Sequence, residues 1–168
     1  MKAGKTMVNK RIVIIVVIAF AAALLYKLYP FGLIFFATRY AEQKRVQLLC
    51  KTDHQALLAT CREVLQREDL EPGMRYKASQ FPQVIRELAP SAVSMTRDNF
   101  LIIGIHGGMN RFGVHAYPED FKVPFKGFEY GDKELIPGLW YYDEDYLHNP
   151  EYDKRIEALM KKGNEKAK

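Results

Sequence analysis

Four polar side chains in one apolar stretch, residues 99–117, have the types and spacing best suited to chemistry. They are His106, Arg111, His115 and Tyr117. An imidazole changes charge near neutral pH and is a common metal ligand, so two of them on one rigid element can serve acid–base chemistry or binding. We take these four as the candidate binding residues of the chain.

The element that must position them is a β-hairpin. Two strand-like apolar runs flank Gly107-Gly108-Met109-Asn110, a typical turn composition. An even-numbered loop places odd positions of the first arm on the same face as even positions of the second. The predicted core face is then apolar throughout and consists of Leu101, Ile103, Ile105, Phe112, Val114 and Ala116. The four candidates lie on the opposite face, which we expect to be at least partly exposed.

The pairing register decides whether the histidines can cooperate. If Gly108 pairs with Arg111, His106 and His115 become diagonal neighbours at roughly 7–8 Å, close enough to share a ligand. If Gly107 pairs with Asn110, they move one pair further apart. An odd-numbered loop would put them on opposite faces, so the sequence leaves three arrangements open.

Common catalytic signatures are missing from the chain. It has no Gly-x-Ser-x-Gly, no His-Glu-x-x-His, no Walker loop and no Cys-x-x-Cys. The acidic run at residues 143–145 lacks the glycine and terminal glutamate of an EF-hand loop, and such runs are usually solvated. Catalytic residues therefore stay unknown, and we expect no cofactor and no resident metal.

Residues 12–37 form the predicted membrane anchor. Residues 12–25 are fourteen consecutive apolar residues, and only Lys27 interrupts the continuation; a spanning helix needs roughly 20 apolar residues. Pro30 and Gly32 should break or kink it. A cleaved signal peptide is the alternative, since Ala21, Ala22 and Ala23 could precede a cleavage site. Cleavage there would leave a strongly apolar new terminus, which favours an uncleaved anchor.

Basic residues on the two flanks indicate the orientation. The tail at residues 1–11 carries Lys2, Lys5, Lys10 and Arg11. The positive-inside rule then places this tail in the cytoplasm and the following domain outside the cell membrane. Removing these four from the 25 basic residues leaves 21 against 20 acidic ones. The net charge of +5 therefore belongs mostly to the membrane flank, and we expect no nucleic-acid partner.

Residues 38–163 form the predicted domain, followed by a disordered tail at 164–168. We expect an α+β fold, with three to four antiparallel strands packed against about three helices. A helix begins at a Thr52–Gln55 capping box, and Pro150 and Gly163 mark the start and end of the last helix. Trp140 should lie in the core.

The sequence does not decide whether the two cysteines form a disulfide or stay reduced. Cys50 and Cys61 flank the start of the first domain helix. Outside the cytoplasm they can form a disulfide, or they can remain as two buried thiols.

These patterns support two function classes. The first is a single-pass, membrane-tethered, non-enzymatic binding or assembly domain with a protein partner, held in the lipid bilayer by residues 12–37. The second is a small metal-dependent or histidine-based hydrolase that uses the candidate face of the hairpin. Because the tether is present and catalytic motifs are missing, the sequence favours the first.

Overall fold

The computed structural model describes residues 4–106, 111–121, 132–144 and 150–166. The chain divides into two compact units, Met1–Tyr40 and Ala41–Lys168. Helix α1, Gly4–Lys51, runs through the first unit and contributes its last turns to the second. The expected break at Pro30 is wrong, because α1 continues past it. A proline removes only one intrahelical hydrogen bond, which an otherwise apolar helix tolerates.

The first unit contains a long apolar stretch of helix α1. An 18-residue window of α1 has a mean hydropathy of 2.2, and none of it is buried within the structure. Large side chains along it are exposed, including Val13, Phe20, Leu25 and Phe36. One N-terminal helix is therefore long and apolar enough to span a membrane.

The second unit is built on one antiparallel sheet. Its strands are β1 (Arg75–Tyr76), β2 (Ala92–Met95), β3 (Leu101–His106), β4 (Phe112–Ala116), β5 (Lys133–Ile136) and β6 (Leu139–Asp143). Their order in the sheet is β1-β2-β3-β4-β6-β5. The α+β prediction is confirmed, with six strands rather than three or four. The two extra strands are the edge strands β1 and β5, whose short sequences carry weak periodicity.

One face of this sheet is the core. The apolar face predicted for the hairpin is buried as expected: Leu101, Ile103, Ile105, Phe112, Val114 and Ala116 are each at most 4% exposed. On β6, Leu139, Tyr141 and Asp143 oppose Ala116, Val114 and Phe112, and so join the same face. Trp140 alternates to the other face and is only half-buried, so its predicted place in the core is wrong.

Besides α1, the described residues form the α-helices α2 (His54–Leu65), α3 (Gln83–Glu87) and α4 (Pro150–Lys166) and a short 3₁₀ helix, Ala78–Gln80. Helix α2 buries the stripe Leu57, Leu58, Cys61, Val64 and Leu65. Its N-cap is Asp53, whose carboxylate accepts from the Ala56 amide at 3.0 Å. The predicted capping box at Thr52–Gln55 is therefore wrong: the N-cap lies one residue further on, and the Thr52 hydroxyl donates instead to the Gln47 carbonyl.

Gly163 has a different role from the one predicted. Helix α4 continues through it to Lys166 instead of ending there. A Cβ at Gly163 would lie 2.2 Å from the Leu49 carbonyl oxygen of α1. The glycine therefore permits close contact between α1 and α4.

A buried ion pair fastens α1 to the sheet. Arg45 Nε donates to Asp143 Oδ2 at 2.8 Å, and Arg45 Nη2 donates to Asp143 Oδ1 at 3.2 Å. The two side chains are 3% and 0% exposed. The hydroxyls of Tyr141 and Tyr152 also donate to Asp143, the latter at 3.0 Å. Asp143 is therefore a structural core residue and not part of the solvated acidic run that the sequence indicated.

Candidate functional site

The second face of the sheet carries an aromatic and polar cluster. Strand alternation brings His115 of β4 and its neighbour Tyr117 to this face, opposite to the core. His115 pairs across the ladder with Trp140 of β6, which places Tyr142 on the same face. Asp132 lies directly before β5. We call His115, Tyr117, Asp132, Trp140 and Tyr142 the second-face cluster.

A pair of glycines makes room for the cluster. Gly104 and Gly113 oppose each other in the β3–β4 ladder. A Cβ at Gly113 would lie 2.9 Å from Tyr142 Cε1 and 2.0 Å from the Ile103 carbonyl oxygen, so no larger residue fits. A Cβ at Gly104 would lie 3.4 Å from the Tyr142 hydroxyl. The Tyr142 ring therefore packs against the backbone of these two glycines, where no side chain is in the way.

His115 lies at the centre of the cluster. Its ring stacks on Tyr142 with centroids 4.6 Å apart and an interplanar angle of 21°. The Phe100 ring contacts it edge-on at 5.7 Å. His115 Nδ1 lies 3.6 Å from Asp132 Oδ2, within ion-pair distance but beyond a hydrogen bond. The Asp132 carboxylate therefore lies close enough to the imidazole for an electrostatic contact.

Burial on this face is greater than the sequence indicated. The side chains of His115 and Asp132 are 13% and 1% exposed, and Tyr117 is 1% exposed. Phe100 and Phe121 cover Tyr117, each with a ring centroid 4.7 Å away. Of the residues expected to be at least partly exposed, Arg111 is exposed and His115 is slightly exposed, whereas Tyr117 is buried because aromatic side chains from flanking segments cover it.

Four polar atoms of the cluster lack hydrogen-bond partners. They are the Tyr117 hydroxyl, both Asp132 carboxylate oxygens and Trp140 Nε1, and within the described part of the chain nothing hydrogen-bonds them. Leaving a buried polar group unsatisfied costs about 1–3 kcal/mol. Such groups gather where a ligand or ordered water completes them. The arrangement offers two donors beside a carboxylate acceptor.

Burial also sets the protonation of the two tyrosines. Burial, and then the nearby Asp132 carboxylate, raise the pKa of Tyr117 above its ordinary value. Burial, followed by Glu144 and Asp132, raises the pKa of Tyr142 to about 12. Both hydroxyls therefore stay protonated at neutral pH and act as neutral hydrogen-bond donors.

The other two candidates lie elsewhere. Arg111 is exposed and forms a loose ion pair with Glu144 at 3.8 Å. His106 pairs with Phe112, whereas His115 pairs with Ile102. His106 lies four residue steps along β3 from Ile102, or roughly 13 Å. Of the four candidate residues, His115 and Tyr117 therefore lie together in the second-face cluster. The backbones of His106 and His115 are far apart, and the His106 side chain lies outside the described residues.

From Leu101 to Gly104 the observed register matches one of the three predicted arrangements, whereas His106 opposite Phe112 corresponds to an odd-numbered loop. Gly104 opposes Gly113, as it would if Gly107 paired with Asn110. A bulge between Gly104 and His106 then shifts the ladder by one residue. The loop residues 107–110 lie outside the described part of the chain.

Asp132, Trp140 and Tyr142 are the cluster residues that sequence reasoning missed. The pattern Leu139-Trp140-Tyr141-Tyr142 has bulky side chains at every position, so either parity could face the core. Nothing near Asp132 distinguishes it from a surface acid. Comparison with family models, curated proteins and solved structures finds no match to this chain. The cluster must therefore be interpreted from its own geometry.

Proposed function

We propose that this chain is a single-pass, membrane-tethered, non-enzymatic binding protein that captures a partner through the second-face cluster outside the cytoplasm. Helix α1 supplies the tether, since it is long and apolar enough to cross a bilayer. The observation that carries the binding role is the half-buried Trp140, which shares the second-face cluster with two other residues that have unsatisfied polar atoms, Tyr117 and Asp132. Aromatic anchors combined with a few convergent polar groups are typical of binding sites.

Charge placement supports the proposed orientation. Four basic residues precede the apolar run, and Arg39, Lys44 and Arg45 follow it. Arg45 is held within the domain by Asp143, so its charge does not face the headgroups. The four basic residues that directly precede the apolar run favour a cytoplasmic N-terminus. A reporter enzyme that works only in the cytoplasm, fused after Lys168, should stay inactive; activity there would contradict the topology.

The binding role can be tested with a photo-crosslinking amino acid at position 140 of the full-length protein. Irradiation of intact membranes should give a discrete crosslinked adduct. Introducing Asp132→Ala or His115→Gln into the same chain should reduce that adduct, whereas exposed Glu68→Gln should leave it unchanged. Equal crosslinking in all variants, or none in any, would contradict a binding role for the second-face cluster.

One observation favours the hydrolase as a second candidate. The Asp132 carboxylate beside His115 Nδ1 resembles the orienting half of an acid–base pair. Within the described residues no group of three His, Cys, Asp or Glu side chains could hold a metal. Hydrolysis of p-nitrophenyl acetate above the free-imidazole rate, lost in His115→Gln, would establish this alternative instead.

A further inference from the structure

Helix α1 carries a second interaction surface, on the premise, taken from the proposed function, that this helix crosses a membrane. It continues unbroken through Pro30, so residues 12–37 belong to one helix. At about 1.5 Å per residue these residues extend over roughly 39 Å, whereas the hydrocarbon core of a bilayer is roughly 30 Å thick. Tilting of the helix lets the whole apolar run lie within the core.

Lys27 is the single charged residue of this run. It lies ten residues before Ala37, and so roughly 11–15 Å inside the core for tilts up to about 40°. A lysine near the end of a span can extend to the headgroups. The side chains of residues 33–36 oppose that placement, because each is large, apolar and more than half exposed, and each is stabilised by hydrocarbon. Lys27 is therefore drawn into the hydrocarbon, where a charge needs a partner.

Pro30 adds a second polar group on the same side of the helix. A proline has no backbone N–H, so the Tyr26 carbonyl loses its usual hydrogen bond from residue 30. Pro30 lies roughly 60° from Lys27 around the helix axis. Because lipid tails offer no hydrogen bonds, polar groups on a membrane helix are typically turned toward protein.

The residues around Lys27 form a continuous strip along α1. Helical periodicity places them within roughly 60° of Lys27, and the small Ala23 among them permits close approach of another helix. We call this strip the lysine face; it consists of Phe20, Ala23, Lys27, Pro30 and Ile34.

The origin of the counter-charge can be narrowed. The chain has no Asp or Glu before Glu42, so the apolar run cannot neutralise Lys27 itself. A second, parallel copy would bring an identical lysine to the same depth, and like charges repel. Lipid phosphates lie in the headgroup region and not at this depth. The source that remains is a carboxylate on a membrane helix of a different protein.

We propose that the lysine face binds a membrane helix of another protein that carries an Asp or Glu within its span. The Lys27 ammonium donates to that carboxylate, and a hydroxyl or amide of the same helix donates to the Tyr26 carbonyl. The opposite side of α1, which includes Ile18 and Leu25, faces lipid.

The face is tested with a photo-crosslinking amino acid in the full-length protein, irradiated in its own membranes. Position 20 should give a discrete adduct with one protein, whereas position 18, roughly 180° from Lys27, should not. Phe20 and Ile18 are 71% and 63% exposed, so the two positions are a matched pair.

Lysine variants connect the adduct to the charge. Lys27→Leu should lower the adduct at position 20 by about tenfold or more, whereas Lys27→Arg keeps the charge and should retain it. Mass spectrometry identifies the crosslinked protein, whose span should contain an Asp or Glu. Lys27→Glu should abolish the adduct, and replacing the partner's acid by lysine should then restore it.

Several outcomes would overturn this inference. They are no adduct at position 20, equal adducts at positions 18 and 20, an adduct that Lys27→Leu leaves unchanged, or a partner span without a carboxylate. If any of these occurs while the protein resists alkaline carbonate extraction, the proposed tether stands and only the lysine face is wrong. Release of the protein by carbonate would show that α1 is not a span, and would overturn both.

Discussion

Replacing Asp143 by asparagine should unfold this domain more readily than almost any other isosteric change. The carboxylate accepts from Arg45 at 2.8 and 3.2 Å and from the hydroxyls of Tyr141 and Tyr152. Both members of the ion pair are almost fully buried. Asp143→Asn therefore leaves a guanidinium in the core without its counter-charge.

The expected magnitude follows from that burial. Removing one partner of a buried ion pair typically costs about 3–5 kcal/mol. Small domains are stable by about 5–15 kcal/mol in all, so the loss is a large fraction of the total. Asp153→Asn is the matched control, because Asp153 pairs with Lys133 at a side chain that is 40% exposed. That change should cost about 1 kcal/mol or less.

Urea unfolding of the full-length protein, read by pulse proteolysis, measures both free energies. The double variant Arg45→Met, Asp143→Asn should recover part of the loss, because the uncompensated charge is gone while the amide oxygen still accepts from the tyrosines. A loss for Asp143→Asn no larger than that for Asp153→Asn would refute the reasoning. No recovery in the double variant would show that the cost does not arise from Arg45.

Three further predictions follow from packing and burial. Gly113→Ala should strongly destabilise the sheet, because its Cβ would lie 2.0 Å from a carbonyl oxygen. Gly104→Ala, directly opposite, should lower stability far less. The melting temperatures of the two variants distinguish these effects. The free energy of unfolding should fall as pH rises above about 10, because tyrosines of the unfolded chain ionise there while Tyr117 and Tyr142 stay protonated in the fold. In a pH titration followed by phenolate absorbance, part of the tyrosine ionisation should therefore occur at a higher pH than in the unfolded chain. Tyr142→Phe should reduce that late part. Cys61 should react with thiol reagents only on unfolding, since burial raises its pKa to about 12, and rapid modification of native protein would contradict this.

The state of the cysteines shows where sequence reasoning stops. The sequence left a Cys50–Cys61 disulfide and two thiols as equal alternatives. In the structure both are free: Cys61 lies on the buried stripe of α2, and the Cys50 thiol contacts the Leu159 carbonyl at 3.2 Å. Residue spacing could not decide this, because the outcome depends on which surface each side chain packs against.

The sequence alone determined those features that depend on local periodicity. Fourteen consecutive apolar residues, with a largely apolar continuation past Lys27, predict a membrane-length helix without any tertiary information, since helix length and hydropathy are properties of the segment itself. Alternation in residues 101–116 likewise identified the core face of the hairpin, because successive strand side chains point to opposite sides.

Tertiary structure alone decided everything that depends on partners distant in the chain. Arg45 and Asp143 are 98 residues apart, and neither local context predicts the other. The β4–β6 register brought Trp140 opposite His115, and a shift of one residue would have buried Trp140 in place of Tyr141. Bulky side chains at every position of β6 made both parities locally acceptable. Tertiary packing selected one of the two parities, because helices cover one face of the sheet and Asp143 on that face forms its buried ion pair with Arg45 of α1.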